Sequence, residues 1–231
     1  MNNALVRSAR SGDLNEIRRL LKHGANPNGP DDSGHLPLTA AAAASRRDAC
    51  RKLIQSGADI EDVDSKGQTA LSISVRLSDV GATEELLFNG ADPNGWDRSG
   101  AAPIDFAIGW GHVNLCKLLL DEGTEVNWFN GLDLSPLVWC AWKGELEICQ
   151  LLLQRGAGVN LSQEKHGWHA LHAARVAHQS EICELLLANG ADDELTDFCG
   201  ITPSMMAADP PKSIAVRQWL QWSSAVIKRN G

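Results

Sequence analysis

The chain has 231 residues, 43% of them hydrophobic and 22% charged, with a formal net charge of −8. That balance suits a globular protein with apolar surface to bury, and the acidic excess argues against nucleic acid as a partner. No apolar run reaches the roughly 18 residues of a membrane span, and the opening "MNNALVRSARSGDLNE" lacks the apolar stretch of a secretory signal, so membrane insertion and export are not expected.

The first predicted elements are two short helices in "LVRSARSGDLNEIRRLLKHGANPN", closed by Gly24. A similar pair then recurs along the chain. "HLPLTAAAAA", "QTALSISV", "AAPIDFAI", "LSPLVWCA", "WHALHAAR" and "ITPSMMAA" each read as a short helix with small residues on one side. Each of the first five is followed by a Leu-rich helix ending in Gly: "CRKLIQSG", "EELLFNG", "CKLLLDEG", "CQLLLQRG" and "CELLLANG". Glycine suits that place because it takes the left-handed cap without a steric penalty. At the end, Pro210–Pro211 break the chain where a turn between helices belongs, and a last helix carries Trp219 and Trp222, with Lys228 and Arg229 in its final turn.

Spacing turns these pairs into a repeat. The closing glycines stand at 24, 57, 90, 123, 156 and 190, four steps of 33 and one of 34. A second glycine series at 34, 67, 100, 167 and 200 keeps the same register, with Asp133 in the missing place. Helices this short are marginal alone in water. Stacking of neighbours buries their apolar rows, and the result is a solenoid.

The 33-residue period, "LSPL", "ITPS", the "TAL" at 69–71, "GADPN" and "WHALHAA" at 168–174 resemble the ankyrin-repeat signature. The resemblance implies an all-α solenoid of stacked helix-turn-helix units with projecting hairpin loops, here one domain over 1–231. Its units are an N-terminal cap at 1–30, repeats at 31–63, 64–96, 97–129, 130–163 and 164–196, and a C-terminal cap at 197–231. It also implies that the protein binds other proteins, that first helices and finger-like loop tips line a concave face, and that second helices form the convex side.

Six cysteines and three clustered histidines invite other chemistry. Cys50, Cys116, Cys149 and Cys183 share one repeat position, in the resemblance a small apolar core site. Stacked helices lie about 8–10 Å apart, beyond the roughly 5.5–6 Å between the Cα atoms of a disulfide, so these four are expected to be buried thiols. Cys140 falls at a helix-packing position, and Cys199 in an exposed loop. His166, His169 and His172 lack a completing Cys or carboxylate, and His172 takes the signature's own histidine place, which implies a structural hydrogen bond. No metal or cofactor is expected. There is no phosphate-cradling loop and no nucleophile elbow, and the carboxylates are scattered, so an enzyme is not expected.

The aromatics carry the functional reading. Six of eight tryptophans lie in residues 96–168. The resemblance places Trp96 and its 33-residue equivalent Phe129 on fingers, beside Trp128, and Trp168 just after the finger glycine Gly167. Trp110 and Trp142 fall late in consecutive first helices, with Trp139 one turn before Trp142. Arg76, Arg98, Asp105 and Lys143 would add selectivity around them. Asp105 stands at the signature's histidine position, which removes the usual hydrogen-bonding residue there. Charge adds a bias: residues 1–60 hold 9 Lys/Arg and 6 Asp/Glu, whereas 61–231 hold 12 and 23.

The expectation is a monomeric protein-binding module that grips another protein with these side chains, on an aromatic-rich concave surface of the central and C-terminal repeats, in a reducing cytoplasmic or nuclear setting. A permanent structural subunit of a larger assembly is one alternative. A regulatory substrate for asparagine hydroxylation is another, since Asn94, Asn127 and Asn160 each lie eight residues after a Leu. Those asparagines also have a sufficient reason in turn formation.

Overall fold

The structure, a computed structural model, describes residues 1–164 and 167–208. His166 and everything expected of residues 209–231, including Trp219 and Trp222, lie outside the described residues. Two compact units are present, one spanning Met1–Leu132 and a second beginning at Asp133.

In the first unit the helices come in pairs: α1 (Asn2–Ser11) with α2 (Leu14–Lys22), α3 (Pro37–Ala43) with α4 (Arg47–Ile54), α5 (Ala70–Arg76) with α6 (Val80–Phe88), and α7 (Pro103–Gly109) with α8 (Val113–Asp121). First helices α1, α3, α5 and α7 pack in succession, and second helices α2, α4 and α6 do the same. The second unit continues the pattern with α9 (Pro136–Lys143) and α10 (Leu146–Gln154), α11 (Ala170–Val176) and α12 (Ser180–Ala188), then α13 (Pro203–Ala208). There α9, α11 and α13 pack in succession. No strand occurs among the described residues.

The small residues explain the close stacking of first helices. Ala40, Ala41 and Ala42 of α3 and Ala173 and Ala174 of α11 are all buried. Second helices supply larger apolar groups: Leu53, Leu86, Leu119, Leu152 and Leu186 are fully out of water. At roughly 25 cal/mol per Å2 of apolar surface removed from water, one such leucine contributes about 1.5–3 kcal/mol. Helix starts are capped from within: Ser72 N–H donates to Thr69 Oγ1 (3.2 Å), and Val138 N–H to Ser135 Oγ (3.3 Å).

Fingers between repeats are Asx turns. Asp31 Oδ1 accepts from the backbone N–H of Ser33 and His35 (both 2.9 Å), Asp64 from Lys66 and Gln68 (2.8 and 2.9 Å), and Asp97 from Ser99 and Ala101 (2.8 and 3.2 Å). Asp197 does the same with Cys199 and Ile201. One carboxylate thus satisfies two loop donors that no helix provides for. Asp133, standing where the other fingers have glycine, adopts φ 63°, the left-handed conformation that Asp tolerates better than most residues.

Within each unit a second ladder ties finger bases together. Asn28 Nδ2 donates to Gly57 O (3.1 Å) while its Oδ1 accepts from Asp59 N–H (2.8 Å). Asn94 repeats this with Gly123 and Glu125, and Asn160 with Gly190 and Asp192. Glu61 holds the equivalent place between Asn28 and Asn94, its Oε1 accepting from Asp92 N–H (2.9 Å). The side chains of Asn94 and Asn160 therefore have a full structural use in joining repeats.

One expectation is corrected here. Cys140 and Cys149 form a disulfide, with Cα atoms 5.8 Å apart. The separation that forbids bonding between stacked repeats does not apply, because this pair joins α9 and α10 within one repeat. Cys50, Cys116 and Cys183 are buried outside any disulfide and Cys199 is exposed, as expected. Burial, chiefly, pushes the Cys50 thiol up to about 12, which leaves it an inert small hydrophobe.

Candidate partner-binding surface

In the first unit, two tryptophans stand out in water on the side of the fingers and first-helix ends. Trp96, on the finger before Asp97, is 68% exposed, and Trp110, the C-terminal cap of α7, is 50% exposed. Trp96 stacks on the half-buried Trp128, ring centroids 6.1 Å apart and planes 17° from parallel. Its neighbour is thus Trp128 and not Phe129, which is half-buried alongside. Parallel stacking of this kind adds about 0.5–1.5 kcal/mol beyond area burial, holding Trp96 with one face turned to solvent.

Arg98 is exposed, its Nη1 donating to Ser65 O (2.7 Å) and its backbone N–H to Lys66 O (3.3 Å). The side chain lies across Gly67, where a Cβ would come within 2.6 Å of Arg98 Cγ. Arg76 ends α5 half-buried, with its Nε shielded from water.

Asp105 is not on this surface, contrary to the expectation. It is buried, its Oδ2 accepts from Ala102 N–H (2.8 Å), and its Oδ1 accepts from Asn130 Nδ2 (3.0 Å). The carboxylate supplies the helix-start hydrogen bond that its departure from histidine had put in question. Burial pushes its pKa up to about 7, against the lowering effect of those two hydrogen bonds.

In the second unit, Trp139 is 7% exposed and stacks on Trp142, centroids 5.4 Å apart, with Lys143 Nζ 5.9 Å from the Trp139 ring centre. Trp139 therefore serves as the buried backing of a half-exposed Trp142–Lys143 pair, which corrects its expected contact role. Trp168 is a clearer correction. Only 1% exposed, it donates from Nε1 to Asp197 Oδ2 (3.2 Å) and stacks on His172. Gln68, at the same repeat position, makes the matching bond from Nε2 to Asp97 Oδ2 (3.4 Å). At these two positions the residue after the finger glycine reaches toward the next finger's Asp and its N–H is drawn inward, whereas His35 after Gly34 stays exposed beside its own finger's Asp31. His172 plays the structural part expected of it: Nδ1 accepts from His169 N–H (3.3 Å), and Nε2 lies 3.0 Å from Ile201 O.

A family model described as ankyrin repeats matches three times, over residues 1–64, 60–130 and 129–197. The chain belongs to the ankyrin-repeat family. Among solved structures, the ankyrin repeat domain of Bcl-3 is similar with a TM-score of 0.83 and 26% identity, over 89% of this chain and 94% of that one. An ankyrin repeat domain from Acinetobacter baumannii AYE gives 0.76 and 28%, over 81% and 98%. Among curated proteins, the human neurogenic locus notch homolog protein 4 is 51% identical over 43 residues, and the Bos taurus ankyrin repeat and SOCS box protein 3 is 48% identical over 50. These stretches cover 19% and 22% of this chain but only 2% and 10% of those proteins.

Ankyrin repeats are in general protein–protein interaction modules, typically without catalytic activity. No described helix is long and apolar enough to cross a membrane. Two further exposed residues of this ankyrin surface escaped the sequence reading: Val63 (45% exposed) and Leu77 (43%). Each lies 33 residues before one of the exposed tryptophans, so the repeat register alone was enough to find them. Aliphatic residues drew no attention where tryptophans stood nearby.

Proposed function

We propose that the chain binds a partner protein through the finger and first-helix side of its first unit, with Trp96 and Trp110 as anchors. Val63 and Leu77 extend the apolar surface, Phe129 lies beside the Trp96–Trp128 stack, and Arg76 and Arg98 border it. The observation that carries this reading is the exposure of two tryptophans on one stack of repeats, 68% and 50%. Isolated exposed aliphatics are ordinary, but tryptophans held out in water beside further apolar groups point to an interaction site. Tryptophan is also among the residues that most often dominate interface energetics. Trp142 and Lys143 offer a smaller contact on the second unit.

A crosslinking capture from native extract, comparing wild type with Trp96→Ala/Trp110→Ala, tests this. Trp96 is exposed and Trp110 half-exposed, so the variant should keep its helicity, with the melting temperature lowered by no more than about a few degrees through loss of the Trp96–Trp128 stack. Each truncation is expected to cost about 2 kcal/mol of binding, enough to empty the capture of its principal partner. Equal capture by both chains would overturn the proposal.

A further inference from the structure

The apolar surface of the first unit is framed by carboxylates. Asp59, Glu61 and Asp62 lead into Val63, and Asp92 leads into Trp96. Glu61 spans the two fingers: Oε1 accepts from Asp92 N–H, and Oε2 lies 3.9 Å from where a side chain would begin at Gly95, the residue before Trp96. One oxygen each of Asp59 and Asp92 closes its own turn, to Glu61 N–H and Asn94 N–H, but the charges remain. Counting Asp64 and Asp97, the two fingers hold six carboxylates against Lys66 and Arg98, with Arg76 on the adjoining helix. Arg98 already spends Nη1 on Ser65 O.

Elsewhere this unit neutralises a carboxylate that it uses structurally. Glu85, on the second-helix side, is 5% exposed and receives Arg51 Nε (2.9 Å) and Nη2 (2.5 Å) and Arg47 Nε (3.3 Å). Among the described residues, Asp59, Glu61, Asp62 and Asp92 take part in no such ion pair. Burial first, and then the charges of Asp92 and Asp59, raise the Glu61 pKa; burial and Asp59 raise that of Asp62. The group is therefore short of positive charge, beside an apolar face that a partner would cover.

We infer that the occupant of this surface is a basic segment of a partner protein, one that places Lys or Arg against Glu61 and Asp62 while its apolar side chains meet Trp96 and Trp110. The inference rests on the binding reading above and adds the chemistry of the partner. Opposite charge at the rim sets approach rate and selectivity, and gives binding a dependence on salt.

A random dodecapeptide phage library panned on the full chain provides the test, with the Trp96→Ala/Trp110→Ala chain and a Glu61→Gln/Asp62→Asn chain as comparators. Gln at 61 keeps an oxygen for Asp92 N–H, so the second variant changes charge and not the finger. Enriched peptides should carry more Lys and Arg than the naive library, beside apolar residues. They should lose about tenfold or more in affinity on the tryptophan variant and about threefold to tenfold on the charge variant. Their affinity should also fall as salt rises from 50 to 300 mM on wild type, by less on the charge variant. Tryptophan-dependent peptides that are neutral or acidic would overturn this inference and leave the proposed function standing. Peptides that bind the tryptophan variant as well as wild type, or no enrichment at all, would overturn both. Self-association of the chain that competes with the peptides would assign the surface to a second copy, and so also overturn the inference.

Discussion

Asp105 and Glu85 are two carboxylates of the first unit that lie almost wholly out of water, and they titrate in opposite directions. Glu85 is held down to about 2, first by its hydrogen bonds from Arg51 and then, against burial, by Arg47. A depressed pKa means stability that is present above the unfolded value of 4.5 and lost as pH falls through 2. Asp105 is raised to about 7 from 3.8, chiefly by burial. Its protonated form is the one the fold favours, so its contribution is full below 3.8 and is lost as pH rises toward 7. Urea unfolding should therefore find an optimum at about pH 4, between the two unfolded values. Glu85→Gln should flatten the acid limb, and Asp105→Asn should remove most of the loss between pH 5 and 7. A wild-type stability that climbs from pH 5 to 7 would contradict this assignment. Neither environment was legible from the sequence. Asp105 looked like a surface departure from a signature, because the partner that keeps it inside, Asn130, lies 25 residues away.

Within the second unit, the helix pair α9–α10 carries the one feature that the repeat argument actively steered away from. The spacing of Cys50, Cys116, Cys149 and Cys183 rules out bonds between repeats, and that reasoning stands for them. Cys140 on the first helix, however, faces Cys149 on the second, nine residues on and within one repeat. A bond closing so short a loop stabilises by about 2–3 kcal/mol in the chain-entropy view. Reduction, or Cys140→Ser/Cys149→Ser, is expected to lower the melting temperature of the second unit by several degrees. Alkylation of the unfolded protein before reduction should leave two of six cysteines unmodified; six modified cysteines would show that the pair is a dithiol. The bond also bears on the expected reducing compartment, where thiol pools oppose such pairs.

For the whole chain, the periodicity of glycine was enough to read the repeat, because a left-handed cap and a finger turn recur at fixed offsets whatever else changes. Helix pairs, the buried small residues of α3 and α11, and the unusual backbone of Asp133 follow from that register. The candidate site was legible only in part. Trp96 and Trp110 are exposed as expected, whereas Trp139 is buried against Trp142 of its own helix and Trp168 is turned inward by Asp197, a neighbour 29 residues on that its own repeat does not contain. Phe88, 88% exposed at the end of α6 on the second-helix side, is the natural control for the opposite face. The decisive measurement places a photo-crosslinking residue singly at positions 96, 110 and 88 of otherwise native chain and irradiates each with the native partner pool. Adducts to one protein from positions 96 and 110, and none from 88, are predicted. Adducts from position 88 alone would put the working surface on the second helices and contradict the account.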